Sequence, residues 1–401
     1  MVESSTARSS RALRSLALLL AAGLLLTACE GDELRPLEPE GGDMFRSYVA
    51  LGNSITAGFQ SDGISDSTQR ASYATMVAGA MGTEFNLPLL APPGCPAPLV
   101  NVYDGTRVGG TAADDCLGRI TPPPPVLHNV AVPGAAVVDA LSITGDEASP
   151  NALTTFILGG RTQVQAARDA EPTFVSVMLG SNDVLEAALT GDTASITPPS
   201  TFAERYGSVL ESVDVSSVEG GVAIGVPDVT LIPYLSPGAA YYQAEQSGAF
   251  PPTFSVDESC SPTQLGQATL VPFGYGFGEL LARAQAGQSV ELNCAADPPV
   301  LLPAEIQKLR QTVAAYNGAI EQAASEREWA FVDPNDALEQ VQDQVPLFPN
   351  TSGADAVERP FGDLFSKDGV HPARPLHRML AGLVVQAING QYDTDLTPPG
   401  S

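Results

Sequence analysis

Lysine is almost missing from this 401-residue chain, with Lys308 and Lys367 as the only two. Arginine does not make up the shortfall: lysine and arginine together number 19 against 46 aspartates and glutamates, a formal charge of −27. So acidic a surface repels phosphate backbones and has no counterion release to gain, which argues against nucleic-acid partners. Histidine is scarce, at 128, 371 and 377 only. Neither C-x-x-C spacing nor clustered histidine occurs, so the usual ligand patterns for a metal are missing and no cofactor is implied. There is no internal repeat, and no second region with its own periodic core.

What is present begins with 44% hydrophobic residues, enough for a globular fold in a chain long enough to bury a large core. Glycine and proline together number 72, which signals many turns and long connections. At the start, Arg8, Arg11 and Arg14 precede the apolar run Leu16 to Leu26. Eleven residues are too few to span a bilayer but suit the apolar part of a signal peptide. The run ends in Leu26-Thr27-Ala28-Cys29, which resembles the lipobox of bacterial lipoproteins. That resemblance implies a leader over 1–28, and a diacylglycerol on Cys29 that tethers the mature chain to a membrane. Setting the leader aside leaves 16 basic and 45 acidic residues, or −29. Glu30 stands where an aspartate is the familiar retention signal, which favours the outer membrane of the cell envelope. The acidic stretch EGDELRPLEPEGGD, residues 30–43, completes a flexible tether over 29–43.

Four cysteines remain: Cys95, Cys116, Cys260 and Cys294. An even count in an exported chain favours disulfides, and three pairings are possible. Cys95–Cys116 and Cys260–Cys294 are preferred, because each closes a loop inside one Pro/Gly-rich stretch.

Between 44 and 390 short apolar runs alternate with helical patterns. Strands are expected at Tyr48 to Leu51, His128 to Val132, Phe174 to Leu179, Val222 to Val226 and Trp329 to Val332. Helical stretches are expected at Tyr73 to Met81, Ala135 to Leu141, Phe202 to Val213, Pro303 to Glu326 and Arg374 to Ile388. In the fourth helix Ile306, Leu309, Val313, Tyr316 and Ile320 share one stripe, and Pro303 suits a first turn. Such alternation gives an α/β fold with a mainly parallel sheet and right-handed crossovers. Residues 82–126 and 234–300 break the pattern and read as two long insertions, lids or binding surfaces. Residues 391–401 read as a tail.

Three strand ends and one late loop carry the candidate chemistry. Ser54 follows the first strand, at the carboxyl edge where open α/β sheets place ligands. Gly134 closes the second strand and lets its N–H approach a ligand, or simply makes a tight turn. Asn182 follows the third and offers an uncharged amide donor, or caps a helix. His371 lies in Lys367-Asp368-Gly369-Val370-His371-Pro372, where a tight turn could aim Asp368 at one imidazole nitrogen and fix the tautomer. His128 starts an apolar strand and reads as a packed or hydrogen-bonded residue. His377 reads as an exposed or partly packed helix residue. Ser181 is the rival nucleophile near the third strand end.

Taken together, Gly52-Asn53-Ser54-Ile55, Asn129 to Gly134, Gly180-Ser181-Asn182-Asp183 and Asp368-Gly369-Val370-His371 resemble the four blocks of the SGNH/GDSL hydrolase family. The resemblance spans about residues 45–390 in the family's order. It implies a flavodoxin-like three-layer α/β/α sandwich with a mainly parallel five-stranded sheet, and metal-free hydrolysis of esters or thioesters. It also implies that Ser54 is the nucleophile, His371 the base and Asp368 its partner. The N–H groups of Ser54 and Gly134 and the Asn182 side chain would form the oxyanion hole. Asn53 stands where the family usually has Asp, and Ile55 where Leu is named.

The expected function is a lipase- or esterase-type hydrolase acting on an ester substrate, a lipid or an acylated carbohydrate, at the cell envelope. Phe250, Phe254, Phe273, Tyr275 and Phe277 would line an apolar cleft or pack within the second insertion. Two other readings are a non-catalytic binding lipoprotein and an acyltransferase using the same acyl-enzyme.

Overall fold

Runs such as Tyr-Val-Ala-Leu-Gly and Phe-Val-Ser-Val-Met suit strands covered on both faces. They form β1 (Tyr48–Gly52) and β2 (Phe174–Met178), joined by β3 (Gly220–Ile224) and the short β4 (Ala330–Val332). Every residue of the first three is buried. All pair in parallel in the order β1-β2-β3-β4, with Val49 opposite Val175 and Val177 opposite Ala223. The structure is a computed structural model and describes residues 39–144, 148 and 151–400. The leader expected over 1–28, Cys29 and the expected tether up to residue 38 lie outside the described residues.

Five strands are expected from the sequence, and four make the ladder. The fifth position, beside β1, is held by residues 128–132, which join through one parallel bridge between Ala50 and Asn129. Ala50 N donates to His128 O at 2.8 Å, and Val130 N to Ala50 O at 2.9 Å. Val132 N donates to Gly52 O at 3.1 Å, and the segment ends there because Pro133 lacks an N–H and Gly134 turns left-handed at φ +82°. With that edge included, the second segment in the chain lies outside the first, and the third lies on its other side. This is the doubly wound order with a switch point at β1.

Helices cover both faces: α1 (Ser54–Ala57), α2 (Tyr73–Met81), α3 (Gln163–Asp169), α4 (Asn182–Thr190), α5 (Pro199–Val213), α6 (Pro303–Ser325) and α7 (Arg374–Tyr392). Alternation along the strands sorts the core. Tyr48, Ala50, Phe174 and Met178 pack with Val77 of α2 and Leu380, Val384 and Ile388 of α7. Val49, Leu51, Val175 and Val177 face the other way, towards Val209 of α5 and Leu309, Val313 and Tyr316 of α6. The α6 stripe is buried as its spacing requires. Truncating Leu309 to alanine would cost about 2–5 kcal/mol, the usual range for a buried leucine. Beyond α7, Leu396 folds back into the core, held by Asn389, whose Nδ2 donates to the Leu396 carbonyl at 2.9 Å.

The helix expected over Ala135 to Leu141 is only a 3-10 turn, Val137–Ala140. Its first N–H goes to the Asp183 carboxylate at 2.9 Å, which fixes the turn from outside. Residues 82–126 carry a small hairpin, Leu99–Asn101 with Thr106–Arg107, and a Cys95–Cys116 disulfide with Cα atoms 4.4 Å apart. Residues 234–300 are more regular than their composition suggests. They hold a helix at Gly238–Gln246, a π-helix at Gly274–Leu281 and a Cys260–Cys294 disulfide with Cα atoms 5.0 Å apart. The aromatic residues there serve packing. Phe250 packs tilted against Phe254 at 4.4 Å and Phe273 stacks on Phe277 at 5.0 Å, while Tyr103 from residues 82–126 meets both Phe273 and Phe277 at 5.8 Å. Tyr275 packs half-buried against the same core.

Candidate active site

Asn53 ends the extended run of β1 and starts a helix. Its side chain accepts a hydrogen bond from Ile55 N at 3.1 Å, a helix cap that also explains why asparagine suffices here. Ser54 is therefore the first residue of α1, and its N–H has no acceptor among the described residues. Asn129 ties the edge segment to the same helix by donating to Thr56 O at 2.8 Å. Gln163, at the start of α3, accepts from Gly52 N at 2.9 Å, which holds the last residue of β1.

The loop before α7 builds the other half. Asp368 Oδ1 accepts from Val370 N at 2.8 Å and His371 N at 2.9 Å, closing a tight turn around Gly369. Gly369 has φ +70°, and a Cβ there would lie 2.9 Å from the Phe361 ring, so a side chain is doubly disfavoured. His371 Nδ1 lies 2.9 Å from Asp368 Oδ2, and His371 Nε2 lies 2.9 Å from Ser54 Oγ. Phe59 packs on the imidazole at 5.0 Å between ring centres. Ser54 is buried except for 7% of its surface.

Electrostatics favour a charged acid beside the imidazole. Burial by itself pushes the Asp368 carboxyl up, but the neighbouring His371 and hydrogen bonds from His371 and Asp62 hold it down at about 2. The carboxylate is fully engaged: Asp62 N donates to Oδ2 at 2.7 Å and Ser366 Oγ to Oδ1 at 3.0 Å. Nothing local in the sequence marks Asp62 or Ser366 for this role. A serine two residues before Asp368 was the only available hint.

Gly134 and Asn182 come to the neighbouring loops. The Gly134 N–H has no acceptor among the described residues, and its left-handed backbone needs glycine. Asn182 heads α4 without capping it and donates one amide hydrogen to Ala135 O at 2.8 Å, which leaves the second one free. Asp183, next to it in the same motif, has a structural role. Burial raises its carboxyl to about 6, and it holds the 134–140 loop through Val137 N.

The other candidates fall away from the site. Ser181 Oγ is buried with no hydrogen-bond partner among the described residues, so it has no base in reach. His128 accepts from Asn86 N at 2.9 Å, and burial lowers its pKa. His377 differs from the exposed or partly packed role expected of it. It is fully buried, accepts from Tyr73 N at 3.3 Å, and burial pushes it down to about 3. The helical period alone could not show that α2 covers this face of α7.

Among the described residues no cluster of three or more His, Cys, Asp or Glu could hold a metal ion, and no helix is long and apolar enough to cross a membrane.

No protein-family model matches the chain, and no curated protein sequence matches it. Solved structures with a similar course of the chain include the acetylxylan esterase Axe2 from Geobacillus stearothermophilus. It is 13% identical with a TM-score of 0.39, over 88% of this chain and 96% of that one. Another is LAE5, described as an alpha/beta hydrolase enzyme from the metagenome of Lake Arreo, Spain. It is 12% identical with a TM-score of 0.38, over 85% of this chain and 93% of that one. Similarity this distant assigns no chemistry, which rests on the geometry of the site itself.

Proposed function

We propose that the protein is a serine-dependent hydrolase of carboxylic esters that works through an acyl-enzyme on Ser54. One observation carries this reading: Ser54 Oγ, the two nitrogens of His371 and Asp368 Oδ2 form an unbroken chain with both contacts at 2.9 Å. In that geometry His371 Nε2 takes the hydroxyl proton as Ser54 Oγ bonds to the ester carbonyl carbon. The carbonyl oxygen becomes an oxyanion, and its collapse expels the alcohol, which leaves with the proton from His371. Water then repeats the sequence and releases the acid. Asp368 keeps the proton on Nδ1, so that Nε2 is free to act as base.

The free N–H groups of Ser54 and Gly134 and the second Asn182 amide hydrogen supply donors for the oxyanion. Such donors, fixed before the charge develops, are each worth about 10²- to 10³-fold in kcat. The leader-like pattern ending at Cys29 supports a further part of the proposal, attachment to the cell envelope through a lipid on that cysteine. Metabolic labelling with an azido fatty acid tests it, and label retained by Cys29→Ser would dismiss it.

A fluorophosphonate probe tests the chemistry. The wild-type chain should form a covalent adduct that Ser54→Ala does not, and should hydrolyse nitrophenyl esters. An adduct independent of Ser54, or none at all, sinks the reading. Rates with short-chain esters, long-chain esters and acetylated xylan would then separate lipid from carbohydrate substrates.

A further inference from the structure

The first insertion reaches the site through one buried cation. Arg107 ends the hairpin of residues 99–107 and is 7% exposed. Its guanidinium donates to the carbonyls of Asp62 at 2.6 Å and Ala97 at 2.8 Å, and pairs with the Asp62 carboxylate. Three acceptors on one planar fork suit arginine and not lysine. The segment it grips is a tight turn: Gln60 N donates to Gly63 O at 2.8 Å, with Ser61 and Asp62 at its corners. Both corners are left-handed, at φ +55° and +50°. Side chains disfavour that conformation unless the surroundings enforce it.

The same turn sets both oxygens of the candidate acid. Asp62 N donates to Asp368 Oδ2 at 2.7 Å, the oxygen that faces His371 Nδ1. Ser61 N donates to Ser366 Oγ at 2.8 Å, and Ser366 Oγ donates on to Asp368 Oδ1 at 3.0 Å. The insertion is fastened alongside. Leu99 N donates to Ser61 O at 2.7 Å, Cys95 N to Ile64 O at 2.8 Å, and Lys367 Nζ to Val100 O at 2.7 Å.

We propose that Arg107 is a positioning residue. By clamping the Ser61–Asp62 turn, it keeps Asp368 aimed at His371 while the imidazole gains and loses its proton. It touches neither residue. Its charge is matched by the Asp62 carboxylate, so it adds little net charge beside Asp368. This inference rests on the ester-hydrolase reading of Ser54, His371 and Asp368.

The test compares kcat and KM on nitrophenyl butyrate, together with thermal midpoint, for wild type, Arg107→Ala and Arg107→Lys. Displacing a catalytic group by a fraction of an ångström should lower kcat of R107A about 10- to 100-fold with KM nearly unchanged. R107K should recover part of the loss, and millimolar guanidinium should restore R107A while leaving wild type as it was. A kcat for R107A close to wild type overturns the proposal. So does a loss that tracks the unfolded fraction and ignores guanidinium. If R107A does not fold, Asp62→Asn keeps the backbone donor and removes the ion pair. A fall in kcat at constant KM then supports the clamp, and an unchanged kcat overturns it. A wild-type chain without esterase activity or probe labelling is a separate result, seen before any variant, and removes the underlying reading as well.

Discussion

Ser54 and His371 stand 317 residues apart in the chain, yet Ser54 Oγ and His371 Nε2 are 2.9 Å apart in space. The contact joins the end of β1 to the loop before α7, two segments with no local reason to meet. The parallel sheet brings them together, because successive strands deliver their carboxyl ends to one edge. Phe59, which follows α1, then packs on the imidazole and limits its swing.

Asp368→Asn should lower kcat about 10³- to 10⁴-fold without unfolding the chain. Oδ1 accepts three hydrogens, from Ser366, Val370 and His371 N, and an amide NH2 there would face all three. The asparagine therefore turns its NH2 towards His371 Nδ1, where it faces one backbone donor, Asp62 N, rather than three. That forces the proton onto Nε2, the nitrogen that must accept from Ser54. Burst kinetics at constant thermal midpoint checks it, and a variant with wild-type kcat would contradict the assigned role.

Asn182→Ala should cut kcat about 10²-fold while KM stays within a small factor, the signature of a donor that acts on developing charge. Gly134→Ala should do similar damage for another reason. At φ +82° the new side chain strains the backbone, and its Cβ would lie 3.2 Å from Asn151 Nδ2. Steady-state kinetics on both variants decides it. A change confined to KM would place these residues in substrate binding instead.

His377 makes the fold sensitive to acid. Its folded value is about 3 against an ordinary 6.5, so between those limits the unfolded chain binds the extra proton. Stability from this group is intact above pH 6.5 and falls as pH drops towards 3, by at most about 1.4 kcal/mol per pH unit. Asp183 works the other way. Raised to about 6 from 3.8, it favours the folded chain as pH falls through that interval. Asp368, lowered to about 2, loses its contribution only below 3.8. The pH dependence of urea unfolding in His377→Gln, compared with wild type, isolates the histidine. The variant should lose less stability between pH 6.5 and 4.5, and identical curves would reject the assignment.

Removing either disulfide as a serine pair should destabilise the chain by about 3–4 kcal/mol, the loop-closure value for separations of 21 and 34 residues. The functional effects should differ. The Cys95–Cys116 loop contains Arg107, so its loss should also lower kcat. Loss of Cys260–Cys294 should mainly lower the thermal midpoint, because that loop packs through Phe273 and Phe277, the latter against Phe250. Equal effects on kcat from the two pairs would undo the distinction.

What the sequence determined by itself is what short-range chemistry encodes. Predominantly apolar runs gave β1 and β2, the stripe from Ile306 to Ile320 gave α6, and Asp-x-x-His gave a turn that points a carboxylate at its own histidine. Turn residues after strands marked Ser54, Gly134 and Asn182, because a parallel sheet leaves its chemistry at strand ends. Tertiary structure decided everything that depends on which surfaces meet. It laid the expected fifth strand along β1 as an edge held by three backbone hydrogen bonds, and Pro133 and Gly134 end it there. It buried His377 under Tyr73, engaged one Asn182 hydrogen with Ala135, and packed the insertion aromatics into one another. It also linked Arg107, Asp62 and Asp368 from three distant segments. Periodicity reports which face of a helix is apolar, and a motif reports which groups are offered. Neither carries the long-range contacts that fix where those groups point.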